Sequence, residues 1–403
     1  MTSYRPQNRL SVSDLVGPLW CELQYFYKLY YQDTAPTPAM KRGTNIHGRL
    51  ELEVKQPLKL QIKVSLPSRE EQRALQLLQM LIGLQDLSLN GITRELHVFG
   101  FFNDIYVSGI IDEVTYSPGR HDFNSNIKFD NKSSSSVIKN MSNVFDLSYF
   151  SKQRAFQTLD DFEFDSRHIF NPFRVLNQNT LNHSTEDTAT FTPEEDFDHD
   201  ESRIRISDFK TRVSGTLPPE NQTIQAYMQM ALYRKLFYEL ASDSFDYDKY
   251  CSILFLSPNG IIRDDAVRSI YLDEPNVRMS LEDALEGPGN LGYIAALQKF
   301  LTCQPDKLTF QDYVDLVRFK LLDFQDSFTN DMSIIYYSQK TGKPIGGYDY
   351  DYDERLVDPF INYMIQFWSA QRDPNGPDSK SKCAYCRYSS HCAWFRSSTP
   401  EIE

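Results

Sequence analysis

The chain is 403 residues long, 40% hydrophobic and 24% charged, which is enough to bury a large core in two or three lobes. No apolar run reaches the roughly 18 residues of a membrane-spanning helix. A formal charge of -13 argues against indiscriminate affinity for nucleic acid, because the overall field repels phosphate. Much of that charge is local: Glu186 to Glu201 holds eight acidic residues and no Lys or Arg. A polyanion would therefore have to be held in a channel with its own basic lining.

The opening MTSYRPQNRL has neither an apolar signal core nor an Arg/Ser-rich amphipathic pattern, so no targeting segment is visible. Ser13 is expected to cap a helix starting near Asp14. Beyond Pro18 the aromatic run Trp20 to Tyr31 reads as a second helix with Cys21 in its first turn. In KRGTNIHGRLELEV, Ile46, Leu50 and Val54 recur at helical spacing as an apolar stripe. His47 and Glu51, also four apart, share the adjacent strip, the spacing of an ordinary surface pair as much as of a site.

Ser68 to Glu71 fits a capping box for a helix reaching about Leu89, after which Asn90-Gly91 leads into a hairpin of Ile92 to Gly100 and Ile105 to Thr115. Within GIIDEV, Asp112 and Glu113 point to opposite faces, and Asp112 is assigned to the inward one because it continues the Ser108, Ile110 register. From Tyr116 to Asp200 the periodicity is weak. The stretch reads as an insertion between two strands, helical around Asp146 to Leu159, with the SSSS run at Ser133 to Ser136 and a disordered acidic end.

RIRISDFKTR, Arg203 to Arg212, reads as a strand that starts apolar and ends in charge. Ile204, Ile206, Asp208 and Lys210 share one face, so a carboxylate and an ammonium stand side by side at the end of a core strand. Burying such a pair costs several kcal/mol unless something coordinates it, which marks a site; an ion pair on an edge strand is the plainer alternative. A helix over Glu220 to Leu240 carries Gln225, Gln229 and Tyr233 as a polar file. CSILFLS at 251–257 reads as a buried strand, Arg278 to Ser327 as helices, and YYSQKTGKPIGG as a hairpin turning at Thr341-Gly342. YDYDYDE resembles the start of a calcium loop, but Glu354 stands where the sharp turn needs Gly, so it reads as a solvated strand end. Leu356, Phe360, Tyr363 and Phe367 stripe a last helix.

Six cysteines occur, and Cys383, Cys386 and Cys392 crowd into ten residues, a bunching more typical of metal or cluster ligation than of a disulfide framework. A tetrahedral set needs a fourth thiolate. Cys21, at a helix start, is the best donor, whereas Cys251 and Cys303 are explained by burial as small hydrophobes. Spacing alone leaves zinc and an iron-sulfur cluster level. Lys382, Arg387 and Arg396 would offset its negative charge.

Taken together, G-x-x-x-H-x-x-x-E at Gly43 to Glu51, GIIDEV with Asp112, DFK with Asp208 and Lys210, and Gln229-x-x-x-Tyr233 resemble the ordered motifs of RecB-type PD-(D/E)XK nucleases. One cysteine ahead of the core and three behind it resemble the subset with a 4Fe-4S cluster. The YYSQKTGKPIGG stretch and the C-terminal aromatic helix resemble the exonuclease V family, most closely its fungal mitochondrial form.

The resemblance implies an α/β fold with a mixed central sheet flanked by helices, helical additions, and a cluster held by Cys21, Cys383, Cys386 and Cys392 that joins the chain ends. The division expected is N-terminal helices and the first part of the core in 1–115, the insertion in 116–200, core again in 201–260, a helical region and hairpin in 261–355, and the last helix and cluster segment in 356–403. It implies a single-stranded DNA exonuclease of 5' polarity that releases short oligonucleotides. Magnesium or manganese would sit on Asp112, Asp208, His47 and the Phe209 carbonyl, with Lys210 acting on water or the transition state, Glu51 supporting the site, and Gln229 and Tyr233 positioning phosphate or the metal shell. Lys41, Arg42, Arg49, Arg203, Arg205 and Arg212 are candidates for a narrow basic passage that admits one strand. No G-x-x-x-x-G-K-[ST] loop is present, so no motor is expected. A monomer is expected, with a single-strand-binding protein as partner and a mitochondrial location, the nucleus being the alternative. The reading from another class is a non-catalytic iron-sulfur scaffold that binds nucleic acid and retains the nuclease fold.

Overall fold

The computed structural model describes residues 9–32, 36–54, 68–118, 202–219, 222–263, 272, 275–286, 290–304 and 307–397. The acidic run, the serine run and the helix expected near Asp146 lie outside them. Among the described residues no helix is long and apolar enough to cross a membrane.

A short strand β1 (Arg9–Ser11) runs into α1 (Val12–Val16), and α2 (Glu22–Tyr30) and α3 (Pro38–Val54) follow. Ser11, not Ser13, caps α1. Its hydroxyl accepts the Asp14 N–H while the Asp14 carboxylate accepts the Ser11 N–H at 2.8 Å, so Asp14, three residues on, closes a capping box that Ser13 cannot form. The Ser68/Glu71 box starts α4 (Arg69–Asn90) as expected, and Gly91 ends it with φ near 70°, a left-handed cap natural to glycine. The chain then forms the hairpin of β2 (Ile92–Phe102) and β3 (Ile105–Pro118), followed by β4 (Ser202–Arg212) and α5 (Ile224–Leu240).

The expected strand at 251–257 is instead the end of a helix, α6 (Tyr247–Leu254), after which Phe255 turns left-handed. Its buried residues Tyr247, Tyr250, Cys251 and Leu254 stand at i, i+3, i+4 and i+7, a helical stripe that a window opened at Cys251 cuts in half. The Asp246 side chain caps it through the Lys249 N–H. Helices α7 (Pro275–Glu286), α8 (Leu291–Thr302) and α9 (Phe310–Leu321) lead to the hairpin β5 (Phe328–Ser338) and β6 (Pro344–Asp351), to α10 (Glu354–Trp368) and to a last short helix α11 (Ala393–Ser397).

All six strands form one mixed sheet. β2 occupies one edge of β3 over the whole of Ile105 to Thr115, so β1 and β4 have to share the other. β1 takes it parallel at Tyr106 to Ser108 and β4 antiparallel at Glu113 to Pro118. Between them, Gly109 to Asp112 have no strand on that side among the described residues. β4 then pairs parallel with β5, and β5 antiparallel with β6. One face of the sheet carries the main core: α5 buries eleven of its seventeen residues, with Tyr227, Leu232, Leu236 and Phe237 wholly enclosed. The other face carries a small separate patch in which Ile46 and Leu50 of α3 pack on Phe209, Ile335 and Tyr337.

Candidate active site

The strand gap is where the charged residues gather. At Glu113 and Ser207 the pairing of β3 with β4 stops, and the two strands part. Asp112, one residue beyond, accepts the Phe209 N–H at 2.7 Å, so its carboxylate replaces the missing ladder partner and lies beside Asp208. Asp208 is 1% exposed. Lys210 lies within 3.0 Å of both its carboxylate oxygens, nearer Oδ2 at 2.8 Å than Oδ1 at 3.0 Å, so the buried carboxylate is held by the ammonium. The strand expected at Arg203 to Arg212 is present with its faces as read. Asp208 and Lys210 look toward α5, while Phe209 points to α3.

From α5, Gln229 accepts the second hydrogen bond of Lys210 at 3.0 Å and donates to the Tyr233 hydroxyl at 3.0 Å. The file seen in the sequence is thus a relay that fixes the ammonium. Gly109 makes room for it, since a Cβ there would stand 2.4 Å from the Tyr233 ring.

From α3, His47 Nδ1 stands 3.7 Å from the Asp112 carboxylate. Gly43, one turn earlier, brings the helix close: a Cβ there would be 2.9 Å from the Thr211 hydroxyl. His47, Asp112 and Glu95 each offer a ligand atom within 4.8 Å of the others. Glu95, opposite Asp112 in the hairpin register, escaped the sequence reading. It has φ near 51°, which breaks the alternation of β2 so that Thr93 and Leu96, three apart, both reach Gly83 of α4. No sequence pattern announces a left-handed glutamate in a strand. Glu51, expected in the site, is half-buried on α3 and stands outside this group.

Arg94 and Glu113 were also missed. They form a buried ion pair of 2.8 Å in which Arg94 also donates to the Leu50 carbonyl of α3 and lies over the Phe209 ring. Here the residue next to Asp112 does structural duty on the opposite face, fastening the helix that carries His47.

Electrostatics follow from this burial. Desolvation pushes the Asp208 carboxyl up to about 6 against the opposing pull of Lys210, and raises Asp112 in the same way. Burial lowers His47 although Asp208 and the Phe209 backbone favour its charged form, so the imidazole is neutral and able to ligate. The Tyr233 hydroxyl is raised by burial and by the Asp208 charge.

The six basic residues proposed for a passage separate. Arg42 donates to the Gln339 side chain and Arg49 to the Gly342 carbonyl, which places both, with Lys41, on α3 beside the β5–β6 turn. Arg212 ends β4 on the same side. Arg203 and Arg205 lie at the other end of β4, five and three residues before Asp208, and Arg205 is 3.7 Å from Asp349. These two are not brought to the site.

The four cysteines do meet. Cys21, the N-cap of α2, lines one cavity with Cys383, Cys386 and Cys392, walled by Trp20, Tyr27, Trp394 and Phe395. Burial pushes the Cys21 thiol up to about 11, with Cys386 and Cys383 adding to the shift. The two chain ends are also tied without any cofactor: Arg372 makes a two-pronged pair with Glu22 at 2.6 and 2.7 Å, and the Trp368 indole donates to the Asp14 carbonyl.

Two carboxylates, an imidazole and a lysine at the splayed end of paired strands in a mixed α/β fold define a candidate centre for a divalent cation. The sequence comparisons agree on one family. Residues 2–395 match the family described as "Exonuclease V - a 5' deoxyribonuclease", and the chain belongs to it. It is 24% identical to "Exonuclease V, mitochondrial" of Candida albicans (strain SC5314) over 97% of this chain and 72% of that protein. It is 20% identical to "Exonuclease V" of Danio rerio over 98% of this chain and 72% of that one.

Proposed function

We propose that the protein is a divalent-metal-dependent exonuclease that degrades single-stranded DNA from the 5' end into short oligonucleotides, built on a PD-(D/E)XK core. The observation that carries this reading is the convergence of Asp112, Asp208 and Lys210 where β3 and β4 part. Family membership supports the reaction class, and the names of the fungal relatives support a mitochondrial location.

Magnesium or manganese suits the donor set: hard carboxylate oxygens from Asp112 and Asp208, the Phe209 carbonyl and the His47 imidazole, with Glu95 added to the ligands read from the sequence. Bound there, the ion would activate water and offset charge on the phosphoryl group in the transition state. The chain supplies the rest. The buried Asp208 carboxylate is held in place by the Lys210 ammonium. Lys210, clamped between Asp208 and Gln229, presents its ammonium beside the donor set, where it would act on the attacking water or a phosphate oxygen. Gln229 cannot flip its amide, because one end accepts from Lys210 while the other donates to Tyr233.

The four thiols suit a 4Fe-4S cluster. Soft thiolates in one aromatic-walled cavity suit zinc or an iron-sulfur core alike, and the family resemblance favours the cluster. Iron content and thermal stability should fall together in Cys21→Ser; unchanged iron would remove Cys21 from the ligand set.

The deciding assay compares wild type with Asp208→Asn on labelled single-stranded oligonucleotides with magnesium, with and without a blocked 5' end. Hydrolysis is expected to fall roughly 100-fold or more in the variant, and to be suppressed by the block. Equal activity of the two proteins would remove Asp208 from the catalytic set, hydrolysis by neither above a protein-free control would leave only the non-catalytic scaffold, and digestion from the 3' end alone would overturn the polarity.

A further inference from the structure

Tyr385 is 88% exposed although it sits between Cys383 and Cys386, in a tight turn closed by the Cys386 N–H to the Cys383 carbonyl. An aromatic ring held that far out contributes almost nothing to the core. It lines a groove of about 650 Å³ whose other walls are Trp20, Lys382, Ser381, Gln222 and Gln225. Gln225 is one turn before Gln229 on the same side of α5, roughly 6 Å along the axis, and Gln229 holds Lys210. At the far end of the file, Tyr233 lines a second cavity of about 350 Å³, together with Arg73, His97, Tyr106 and Ile110. The polar file therefore runs from an open groove, past the candidate cation site, into a cavity.

We propose that this groove holds single-stranded DNA leading to or from the scissile phosphate, with Tyr385 as the platform on which a base stacks. The inference rests on the nuclease reading for its ligand. Single-stranded nucleic acid fits the surface in two respects. A free aromatic face takes any base, while the groove offers amide and hydroxyl groups for the sugar-phosphate chain. Lys382 is paired at 2.7 Å with Asp378, which also lines the groove, so contact with the strand there is through neutral polar groups. The groove is bounded on one side by the cysteine segment, which gives that segment a part in holding substrate beside its part in joining the chain ends.

The experiment is fluorescence anisotropy of a labelled oligothymidylate with the full chain in calcium, for wild type, Tyr385→Ala and Tyr385→Trp, together with quenching of 2-aminopurine placed along the strand. Tyr385→Ala is expected to weaken binding roughly 10-fold and to relieve quenching at one position, with both restored by Trp. Iron content in each variant reports whether the neighbouring cysteines are disturbed. If the alanine variant binds within twofold of wild type and quenching is unaltered, the groove is not the strand's path. Wild type that binds the oligonucleotide but fails to hydrolyse it with magnesium overturns the nuclease reading instead, so the two failures are told apart.

Discussion

The candidate site is gripped by two helices held in opposite ways. α5 lies against the sheet with most of its length buried, and its site residues Gln229 and Tyr233 emerge from the main core. Among the described residues α3 meets the other face through buried Ile46 and Leu50, and its other ties are polar: Arg94 to the Leu50 carbonyl, Arg49 to the Gly342 carbonyl, Gln339 to the Ala39 carbonyl and Arg42 to the Gln339 side chain. The helix that holds Lys210 through Gln229 is thus fixed by packing, and the one that carries His47 by a few directed bonds. Dispersion and burial over many residues tolerate the loss of one contact, while a helix on two apolar residues depends on each polar tie.

The sharpest way to break this comparison is Arg94→Met. It strands the Glu113 carboxylate in a buried position and cuts the tie to α3, with an expected stability loss of about 3–5 kcal/mol. Manganese affinity should fall with it as His47 loses its placement. Arg94→Met with Glu113→Leu should regain most of the stability without the affinity, as read by thermal melts and metal titration. If affinity returns as well, the ion pair supports the sheet and not the histidine.

A smaller effect separates the two sides by pH. Burial raises Asp208 to about 6 and lowers His47 below its ordinary value, so acidification puts a proton on a carboxylate of the donor set. Asp208 must lose that proton to ligate, so affinity is full well above 6 and declines as pH falls through 6. Titrating manganese at pH 7.5 and 5.5 should show roughly a fourfold or greater loss. A flat profile would place Asp208 outside the ligand set.

How far the sequence could be read follows the same division. Asp208 with Lys210 and the Gln229 file were legible because period-two and period-four spacing are local, and α3 with His47 for the same reason. The hairpin also came through, since alternating residues on either side of the Asn103-Asp104 turn specify it. Glu95 did not, because its role depends on a backbone conformation that a glutamate rarely adopts. The Arg94–Glu113 pair is cross-strand and nineteen residues apart, so only the register brings it together. The helix at Tyr247 to Leu254 was misread because a short apolar run fits strand and helix alike until its cap at Asp246 is included.

The cavity shared by Cys21 and Cys392 also sets an order of events during synthesis. Cys21 leaves the ribosome long before Cys383, Cys386 and Cys392, so a polypeptide halted anywhere before residue 383 carries every proposed catalytic side chain yet cannot complete the cysteine-lined chamber. Only molecules extended past Cys392 can acquire the proposed inorganic core, which would make its insertion a check that this segment has been made.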